Sequence, residues 1–507
     1  MLFNSYVFIF VFLPAAVLMF HGLRRCGFER SAIGGLILMS FVFYGWWDPK
    51  YLLLLIPLML TDFVLAKWMV KRGQGRGAVT RGLLAAGVAI NLGALCYFKY
   101  ANFFVDNVNE LFGLNLFLAT IVLPIGISFY TFQKVAFLVD VYQGKVGEFR
   151  LLDYALFVCF FPQLIAGPIV HHSEMMPQFR KLVRVPPAFF ALGLTCLSIG
   201  LAKKVLLADT AALFATPQFD AAAAGASLDM VAAWGASLAY TAQLYFDFSA
   251  YSDMAIGIGL LFGIRLPVNF DSPYKAASIV EFWRRWHITL SRFLRDYLYI
   301  SLGGNRKGQL RRYANLMITM VLGGLWHGAG WTFVVWGSLH GLYLMVNHAW
   351  HACKRRLGLR LSNPWTRKLA QLITFLAVVV AWVFFRADSL PTATSILKGM
   401  FGFHGVVMPS STHRLLEIGS LASLPNDGGT ALMVALAILL IAWLAPNTQQ
   451  LIDYVGPEGT YAPHRPLGKA AGLLWRPTPA WAMSIGTLFA LSVMSFSKVS
   501  EFIYFQF

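Results

Sequence analysis

The sequence predicts an all-α polytopic membrane protein. Of its 507 residues, 58% are hydrophobic and only 13% are charged, which is about half the charged fraction of a typical soluble domain. The mean hydropathy is +0.63. Apolar windows long enough to span a membrane recur along the chain. This composition excludes a soluble globular protein.

The apolar windows predict roughly 11 to 13 transmembrane helices, because some windows can be split or tilted. The first window has no basic leader and no small-residue cleavage site, so we expect a retained helix rather than a cleaved signal peptide. In chain order, the windows lie at 5–22, 32–47, 50–70, 80–98, 117–140, 187–208, 230–262, 313–335, 337–350, 369–385, 430–445 and 480–498.

Interruptions between the windows indicate how the chain is organised. The stretch 152–169 is apolar but contains Pro162, Gly167 and Pro168, so we expect a short, re-entrant element there. The stretches 387–429 and 447–479 have loop composition. With no internal repeat and no loop large enough to fold alone, we predict a single membrane domain over 1–507. Its core is 1–390, and 391–507 supplies a C-terminal loop and the last transmembrane helices.

The formal net charge of +18 is concentrated in four basic clusters. They lie at Arg24–Arg30, Lys67–Arg81, Arg284–Arg312 and Lys354–Lys368. The positive-inside rule places such loops on the cytoplasmic side, in contact with anionic membrane lipids. Nucleic-acid binding, the alternative for basic loops, lacks the aromatic and basic platform that it needs. Five cysteines form no CxxC pair, so neither a disulfide framework nor a metal site is indicated.

A histidine at membrane depth is the first candidate for chemistry. His327 lies in 315–346, a stretch without Asp, Glu, Lys or Arg, and an ionisable group is costly to keep in such a segment. Four glycines lie within four residues of it. They allow close helix packing or leave room for a ligand, so an incidental histidine in a packing motif is the alternative. No acidic residue occurs between Asp296 and Asp388, which argues against a locally encoded Ser-His-Asp triad.

His287 lies in a segment, 281–300, that predicts an amphipathic interfacial helix. On a helical wheel, Phe282, Trp286 and Leu290 share one apolar face. His287 falls at the border of that face, from which it could point into the protein. A membrane-surface anchor with a structural, hydrogen-bonded histidine is the alternative. The arginines of the opposite face are candidates for binding donor phosphates, although a lipid-facing role fits them equally well; they are Arg284, Arg285, Arg292 and Arg295.

Intramembrane polar residues form a third group. Gln243, Asp247 and Tyr251 follow each other at intervals of four, so one helical stripe carries a polar ladder. Gln243 and Asp247 are therefore candidates for the polar wall of a substrate tunnel. We favour structural pairing with an arginine such as Arg265, or one in the interfacial helix, over this functional interpretation. We interpret the remaining histidines, including His340, as structural.

Six stretches of the chain, in this order, resemble the membrane-bound O-acyltransferase (MBOAT) superfamily, and within it the bacterial alginate O-acetyltransferase branch. The resemblance extends to about residue 390, and its long block at 266–341 is specific. The stretches are LPIGISFYTFQ (123–133), CFFPQLIAGPI (159–169), LYFDFSAYSDMAIG (244–257), LPVNFDSPYKAASIVEFWRRWHITLSRFLRDYLYISLGGNRKG (266–308), GGLWHGAGWTFVVWGSLHG (323–341) and VAWVFFRAD (380–388).

The resemblance implies a ring of tilted helices around a thin central region, where a cytoplasmic funnel and an outer opening meet at a catalytic histidine. His327, in a W-H-G pattern, matches that histidine, and His287, in R-R-W-H, matches the family's second one. The implied reaction is acetyl transfer in the bacterial inner membrane, with acetyl-CoA as the donor and no tightly bound cofactor. His327 would act as the general base and His287 would orient it or stabilise the oxyanion. A covalent acyl-histidine is the competing mechanism.

The same branch passes the acetyl group to periplasmic partners with a serine-hydrolase-like (SGNH-type) domain, which modify an exopolysaccharide such as alginate. No such domain is recognised in this sequence, so the resemblance implies a partner. Two alternatives remain. One is the transfer of a D-alanyl or other acyl group to a cell-envelope polymer. The other, from a different class, is a transporter or flippase for an acylated carrier, which the lack of repeat symmetry disfavours.

Overall fold

The computed structural model describes residues 1–73, 77–180, 185–358, 363–407, 427–454, 456–457, 474–496 and 502–503. Within these ranges the chain is helical and has no β-strand, which confirms the predicted all-α class. Arg76, in the second basic cluster, and His413 and His464, two of the histidines interpreted as structural, lie outside the described residues.

The helices of the first half are numbered in chain order and end at the start of a long central helix. Two segments with wider, π-type turns, Phe8–Phe12 and Lys203–Ala208, precede α1 and α10 directly. The helices are α1 (Leu13–Arg25), α2 (Glu29–Gly45), α3 (Leu52–Lys71), α4 (Ala78–Phe112), α5 (Ile127–Tyr142), α6 (Leu151–Cys159), α7 (Phe161–Leu164), α8 (His172–Arg180), α9 (Pro187–Ala202) and α10 (Asp209–Ala223).

The second half contains the motif block at 266–341 and the last apolar helices. A third π-type segment, Leu294–Tyr299, follows α13 directly, and single 3₁₀ turns occur at Pro49–Tyr51 and Pro273–Lys275. The helices are α11 (Met230–Leu261), α12 (Ile279–Arg285), α13 (Ile288–Phe293), α14 (Gly308–His327), α15 (Trp331–Arg356), α16 (Pro364–Arg386), α17 (Leu390–Met400), α18 (Gly428–Leu444), α19 (Thr448–Leu451) and α20 (Pro479–Met494).

Five helical segments within the described ranges are long and apolar enough to cross a membrane. α18 and α20 are apolar but shorter. These segments confirm a membrane protein, while the figure of 11 to 13 crossings stays a prediction. The five are Phe8–Arg25, Pro49–Lys71, Ala78–Phe112, Pro187–Ala223 and Pro364–Arg386.

The centre of the fold is α11, which is buried along almost its whole length. Asp229 caps its first turn by accepting hydrogen bonds from the backbone N–H groups of Val231 and Ala232, which otherwise have no intrahelical partner. A Cβ atom on Gly257 would lie 2.6 Å from the carbonyl oxygen of Gly193. Glycine at both positions therefore lets the backbones of α9 and α11 touch, as small residues do in membrane helix packing.

Several predicted boundaries are corrected by the structure. The window 117–140 begins to be helical only at Ile127, because the chain turns at Gly126 with φ +77. The predicted loop 387–429 is wrong at its start, since Ser389 caps helix α17 at Leu390–Met400. By contrast, the predicted break within 152–169 is confirmed: Phe160 leaves the helical conformation between α6 and α7.

Candidate active site

His327 is the last residue of α14, and the apolar window that contains it is split. Residues 328–330 leave the helical conformation before α15 begins at Trp331. The two helices pack backbone to backbone: a Cβ atom on Gly324 would lie 2.2 Å from the carbonyl oxygen of Phe333, and one on Gly337 would lie 2.4 Å from that of Met320. Because neither position has room for a Cβ atom, glycine at both positions allows α14 and α15 to pack this closely.

The C-terminal end of α14 is held by two side chains from α4. The ammonium of Lys99 donates to the backbone carbonyl oxygens of Trp326 (2.6 Å) and His327 (2.9 Å), and the hydroxyl of Tyr100 donates to that of Leu325 (2.6 Å). The last carbonyls of a helix lack intrahelical partners and carry its negative dipole end, so a cation is favoured there. Lys99 and Tyr100 therefore position His327 through its own backbone.

The imidazole of His327 lies in an aromatic enclosure and is only 4% exposed. The ring centroids of Trp336 and Phe385 each lie 5.1 Å from its own, both edge-on. The ring of His287 lies 6.5 Å away, centroid to centroid. The structure therefore brings together the two histidines that the sequence singled out, although they lie 40 positions apart.

The segment that carries His287 is broken, and the single amphipathic helix predicted over 281–300 is wrong. α12 ends at Arg285, and α13 begins at Ile288. His287 itself has φ +43, a left-handed conformation that costs a non-glycine residue about 1–3 kcal/mol. The extended segment beside it accounts for the break, because the carbonyl of Asn269 accepts the backbone N–H of Ile288 at 3.0 Å. The break turns the fully buried His287 towards His327 instead of leaving it on a surface helix.

Asn269 fixes the tautomer of His287. The side-chain oxygen of Asn269 accepts from the backbone N–H and the hydroxyl of Thr289 and lies 3.1 Å from Nδ1 of His287. Since an acceptor oxygen must face a donor, Nδ1 carries the proton. In the neutral ring the lone pair then sits on Nε2. His287 can therefore accept a proton at Nε2, which is the chemistry that a general base or a base-orienting group requires.

The four candidate arginines separate into two groups. Arg284 and Arg285 line a cavity of about 520 Å³, together with Asn347, His348, His351 and Arg355 of α15. Arg285 also pairs with Glu281 at 2.6 Å. Arg292 pairs with Glu174. Arg295 is exposed and pairs with its neighbour Asp296 at 2.7 Å, a hydrogen bond that raises the pKa of Arg295. Arg284 and Arg285 therefore face a space that could hold a ligand's phosphates, whereas Arg292 and Arg295 are each paired with a carboxylate.

The structure places Asp247 in a buried ion pair. Its carboxylate lies 2.7 Å from the ammonium of Lys204 and accepts the backbone N–H of Ile503. The predicted structural pairing is therefore present, but the predicted partner, an arginine such as Arg265, was wrong, because Lys204 supplies the positive charge. Lys203 pairs in the same way with Asp253, at 2.8 Å. Gln243 lies one turn earlier on α11 and is partly buried.

Sequence reasoning missed Lys99, Asn269 and His340. Lys99 directly follows the apolar window 80–98, and a lysine at that position was a visible signal. Asn269, in contrast, precedes its histidine by 18 residues in an irregular segment, where no periodicity could connect them. His340 was treated as structural, yet its ring lies 4.8 Å from that of Trp336, which contacts His327.

The comparison with known proteins agrees with this geometry. The profile of "MBOAT, membrane-bound O-acyltransferase family" matches residues 89–387, a range that contains both histidines, Lys99 and Asn269. The chain belongs to the membrane-bound O-acyltransferase family. It is therefore an enzyme, an acyltransferase, and the transporter alternative is set aside.

Curated relatives give further detail about this member of the MBOAT family. The peptidoglycan O-acetyltransferase of Helicobacter pylori is 45% identical over 84% of each chain. The probable alginate O-acetylase AlgI of Pseudomonas aeruginosa is 40% identical over the full length of both. The teichoic acid D-alanyltransferase of Streptococcus thermophilus is 29% identical over 52% of this chain and 68% of its own.

Proposed function

We propose that this MBOAT member is an O-acetyltransferase of the bacterial inner membrane. It moves an acetyl group from a cytoplasmic donor, acetyl-CoA, to a periplasmic partner for O-acetylation of an exopolysaccharide such as alginate. The observation that carries the proposal is the buried pair His287–His327, whose ring centroids lie 6.5 Å apart. The full-length similarity to alginate O-acetylases supports the acetyl group and a polysaccharide acceptor.

The identity of the polymer has a second candidate. The Helicobacter relative, at 45% identity, is named for peptidoglycan, so a cell-wall glycan is the alternative acceptor. D-alanyl transfer is less well supported, because the relative named for it matches 52% of this chain at 29% identity.

The proposed reaction exchanges a thioester for an oxygen ester. His327 takes the proton of an acceptor hydroxyl, whose oxygen attacks the carbonyl carbon of the acetyl thioester. The tetrahedral intermediate then collapses, the C–S bond breaks, and the imidazolium returns the proton to the leaving thiolate. His287, held by Asn269 with its lone pair on Nε2, orients His327 or accepts the proton itself. The low-dielectric aromatic enclosure strengthens these electrostatic interactions.

The donor would enter from the side on which the basic clusters lie. The cavity lined by Arg284, Arg285 and Arg355 is of a size typical of small-ligand sites. Guanidinium groups bind phosphate oxygens well, so we assign this cavity to the donor's phosphates. Arg284 and Arg285 also lie only two to three residues before His287, which connects the cavity to the histidine pair. As the family resemblance implies, the acetyl group would then pass to an SGNH-type periplasmic protein.

The test is to replace His327 with Ala and His287 with Ala in a strain whose polysaccharide acetylation depends on this chain. The acetyl content of the isolated polymer, measured by proton NMR, should fall at least a hundredfold, in line with the loss of acid–base catalysis. His404→Ala, which changes a histidine whose Nδ1 lies 3.1 Å from the carbonyl oxygen of Leu228, is the matched control. Normal acetylation with inserted His327→Ala protein would overturn the proposal. Mass spectrometry of acid-quenched protein would reveal acetylated His327 if the covalent mechanism operates.

A further inference from the structure

Two fully buried N–H donors lie side by side next to the histidine pair. Trp336 and His340 are one turn apart on α15, both are 0% exposed, and their ring centroids are 4.8 Å apart. Trp336 also contacts the ring of His327, at 5.1 Å between centroids. The proposed function above uses neither residue.

The hydrogen bond to Trp283 fixes which atom of His340 carries a proton. Nε1 of Trp283 lies 3.2 Å from Nδ1 of His340. Since an indole nitrogen can only donate, Nδ1 must accept, and the proton of the neutral ring sits on Nε2. His340 therefore presents an N–H donor at Nε2, and Trp336 presents another at Nε1.

Within the described part of the chain, neither of these two atoms has a hydrogen-bond acceptor. Leaving one such buried donor unsatisfied costs about 1–3 kcal/mol, and native proteins rarely keep two together. Their surroundings are aromatic: Phe282 stacks on His340, and Trp382 stacks on Trp336. The arrangement suits a neutral ligand with carbonyl oxygens and little bulk.

The same face of α15 continues to the basic cavity. At about 100° per residue, Trp336, His340, Asn347 and His351 fall within about 60° of one another. The last two line the cavity that holds Arg284 and Arg285. From Trp336 to His351 the helix rises about 22 Å, a distance that an extended arm between a thioester and its phosphates can bridge.

We propose that Trp336 and His340 form a subsite for the arm of the acyl donor and bind the amide or thioester carbonyls of a pantetheine chain. This inference rests on the proposed function, because it places the phosphates at Arg284 and Arg285 and the thioester at His327. Trp336 and His340 are binding residues that determine donor affinity and take no part in proton transfer. The hydrogen bond between Trp283 and His340 keeps the donor atom of His340 at the subsite.

The experiment measures donor binding to the full-length protein in detergent. The probes are radiolabelled acetyl-CoA and adenosine 3′,5′-bisphosphate, which has the terminal phosphates but no arm. Trp336→Phe and His340→Phe remove one N–H each and keep an aromatic ring. Each should weaken acetyl-CoA binding about tenfold, the effect of one lost hydrogen bond to a buried ligand, and leave bisphosphate binding unchanged. His340→Gln, which can both accept from Trp283 and donate, should restore most of the affinity.

Matched controls separate the subsite from general packing. Trp234→Phe changes a tryptophan that donates to Met400, and His404→Phe changes a histidine beside Leu228. Both should bind the two probes as the wild type does. Unchanged acetyl-CoA affinity in Trp336→Phe and His340→Phe would overturn the subsite and leave the proposed function standing. Equal losses for both probes would also overturn it, since they would indicate a structural role.

The two proposals can fail separately. If the wild type does not bind acetyl-CoA while polymer acetylation still requires His327, the pantetheine subsite is overturned and acetyl transfer is retained. If acetylation does not require His327, the proposed function fails, whatever the binding data show. A selective loss of acetyl-CoA affinity, together with His327-dependent acetylation, supports both.

Discussion

The ammonium of Lys99 lies 2.9 Å from the carbonyl oxygen of His327 and 2.6 Å from that of Trp326. A cation on α4 thereby terminates the helix that presents the candidate base. His327 is thus positioned by its main chain as well as by the rings around it. This relationship connects α4, near the start of the chain, with the motif block at 266–341.

Replacing Lys99 with a neutral residue should therefore disturb the position of His327 without altering the His327 side chain. In Lys99→Met the carbonyls of Trp326 and His327 lose a charge-assisted donor, which is worth about 1.5–3 kcal/mol. We expect acetyl transfer to fall about 10- to 100-fold, with partial activity in Lys99→Arg. Polymer acetyl content at matched protein levels measures the effect. Lys71→Met, at an exposed helix end, is the control. Wild-type activity in Lys99→Met would show that the contact is dispensable.

Asn269 should control the protonation pattern of His287. In Asn269→Ala the Nδ1–H of His287 loses its acceptor, and the ring is free to carry its proton on Nε2, the wrong nitrogen for accepting one. We expect kcat to fall at least tenfold with little change in the KM for the donor. Asn269→Asp keeps an acceptor oxygen and should retain more activity than Asn269→Ala. Asn109→Ala, which changes an asparagine hydrogen-bonded to the backbone of Leu116, is the control. A rise in KM alone would argue against this role.

The close packing of α14 against α15 provides a geometric test. A Cβ atom on Gly337 would lie 2.4 Å from the carbonyl oxygen of Met320, so Gly337→Ala must push the two helices apart. We expect a lower melting temperature and a loss of acetyl transfer that exceeds the loss of folded protein, because His327 moves with α14. Gly93→Ala, on α4 with nothing within 4 Å of its Cβ position, should be neutral. Full activity in folded Gly337→Ala protein would contradict this view of the site.

The sequence could predict the class of fold and the two histidines, because these depend on local signals. The length of the apolar windows predicts membrane-spanning helices. The uncharged stretch around His327 marks this histidine as a candidate functional residue. The resemblance to a family then placed His287 and His327 together, which no periodicity could have done. The glycines around His327 could not predict that the helix ends there, since glycines also occur where continuous membrane helices pack together.

The failures have a common physical cause. The helical-wheel prediction for 281–300 assumed a continuous helix. Hydrogen bonds with the segment around Asn269 instead stabilise a left-handed backbone conformation at His287, which breaks the helix. Lys99, which contacts His327, and Asn269, which contacts His287, were likewise missed. Both come from parts of the chain that are distant in sequence from their histidines. Such tertiary contacts override local propensity, and they concentrate at the site, where strain and irregular backbone serve positioning.

The buried pair of Lys204 and Asp247 decides between two interpretations of the polar stripe on α11. The side chains of both residues are at most 3% exposed, and Lys204 also pairs with Asp209 at 2.9 Å, so removing Lys204 leaves Asp247 as an uncompensated buried charge. Asp247→Asn should cost less, because Asp209 still pairs with Lys204, whereas Lys204→Met should destabilise the protein by about 3–5 kcal/mol. The double variant removes both charges and should recover a substantial part of that loss. Thermal unfolding in detergent, followed by tryptophan fluorescence, measures stability, and polymer acetylation measures function.

The double variant separates structure from substrate binding. If Asp247 serves only the fold, a double variant with recovered stability should also recover acetylation. If Asp247 lines the acceptor path, as the stripe with Gln243 suggested, the protein should be stable and inactive, because the carboxylate that would meet the acceptor is gone. Asp220→Asn, which changes an acid paired with Arg386 near the surface, is the control and should alter neither measurement. A double variant no more stable than Lys204→Met would contradict the pairing itself, since Asp209, the other partner of Lys204, loses that lysine in both variants.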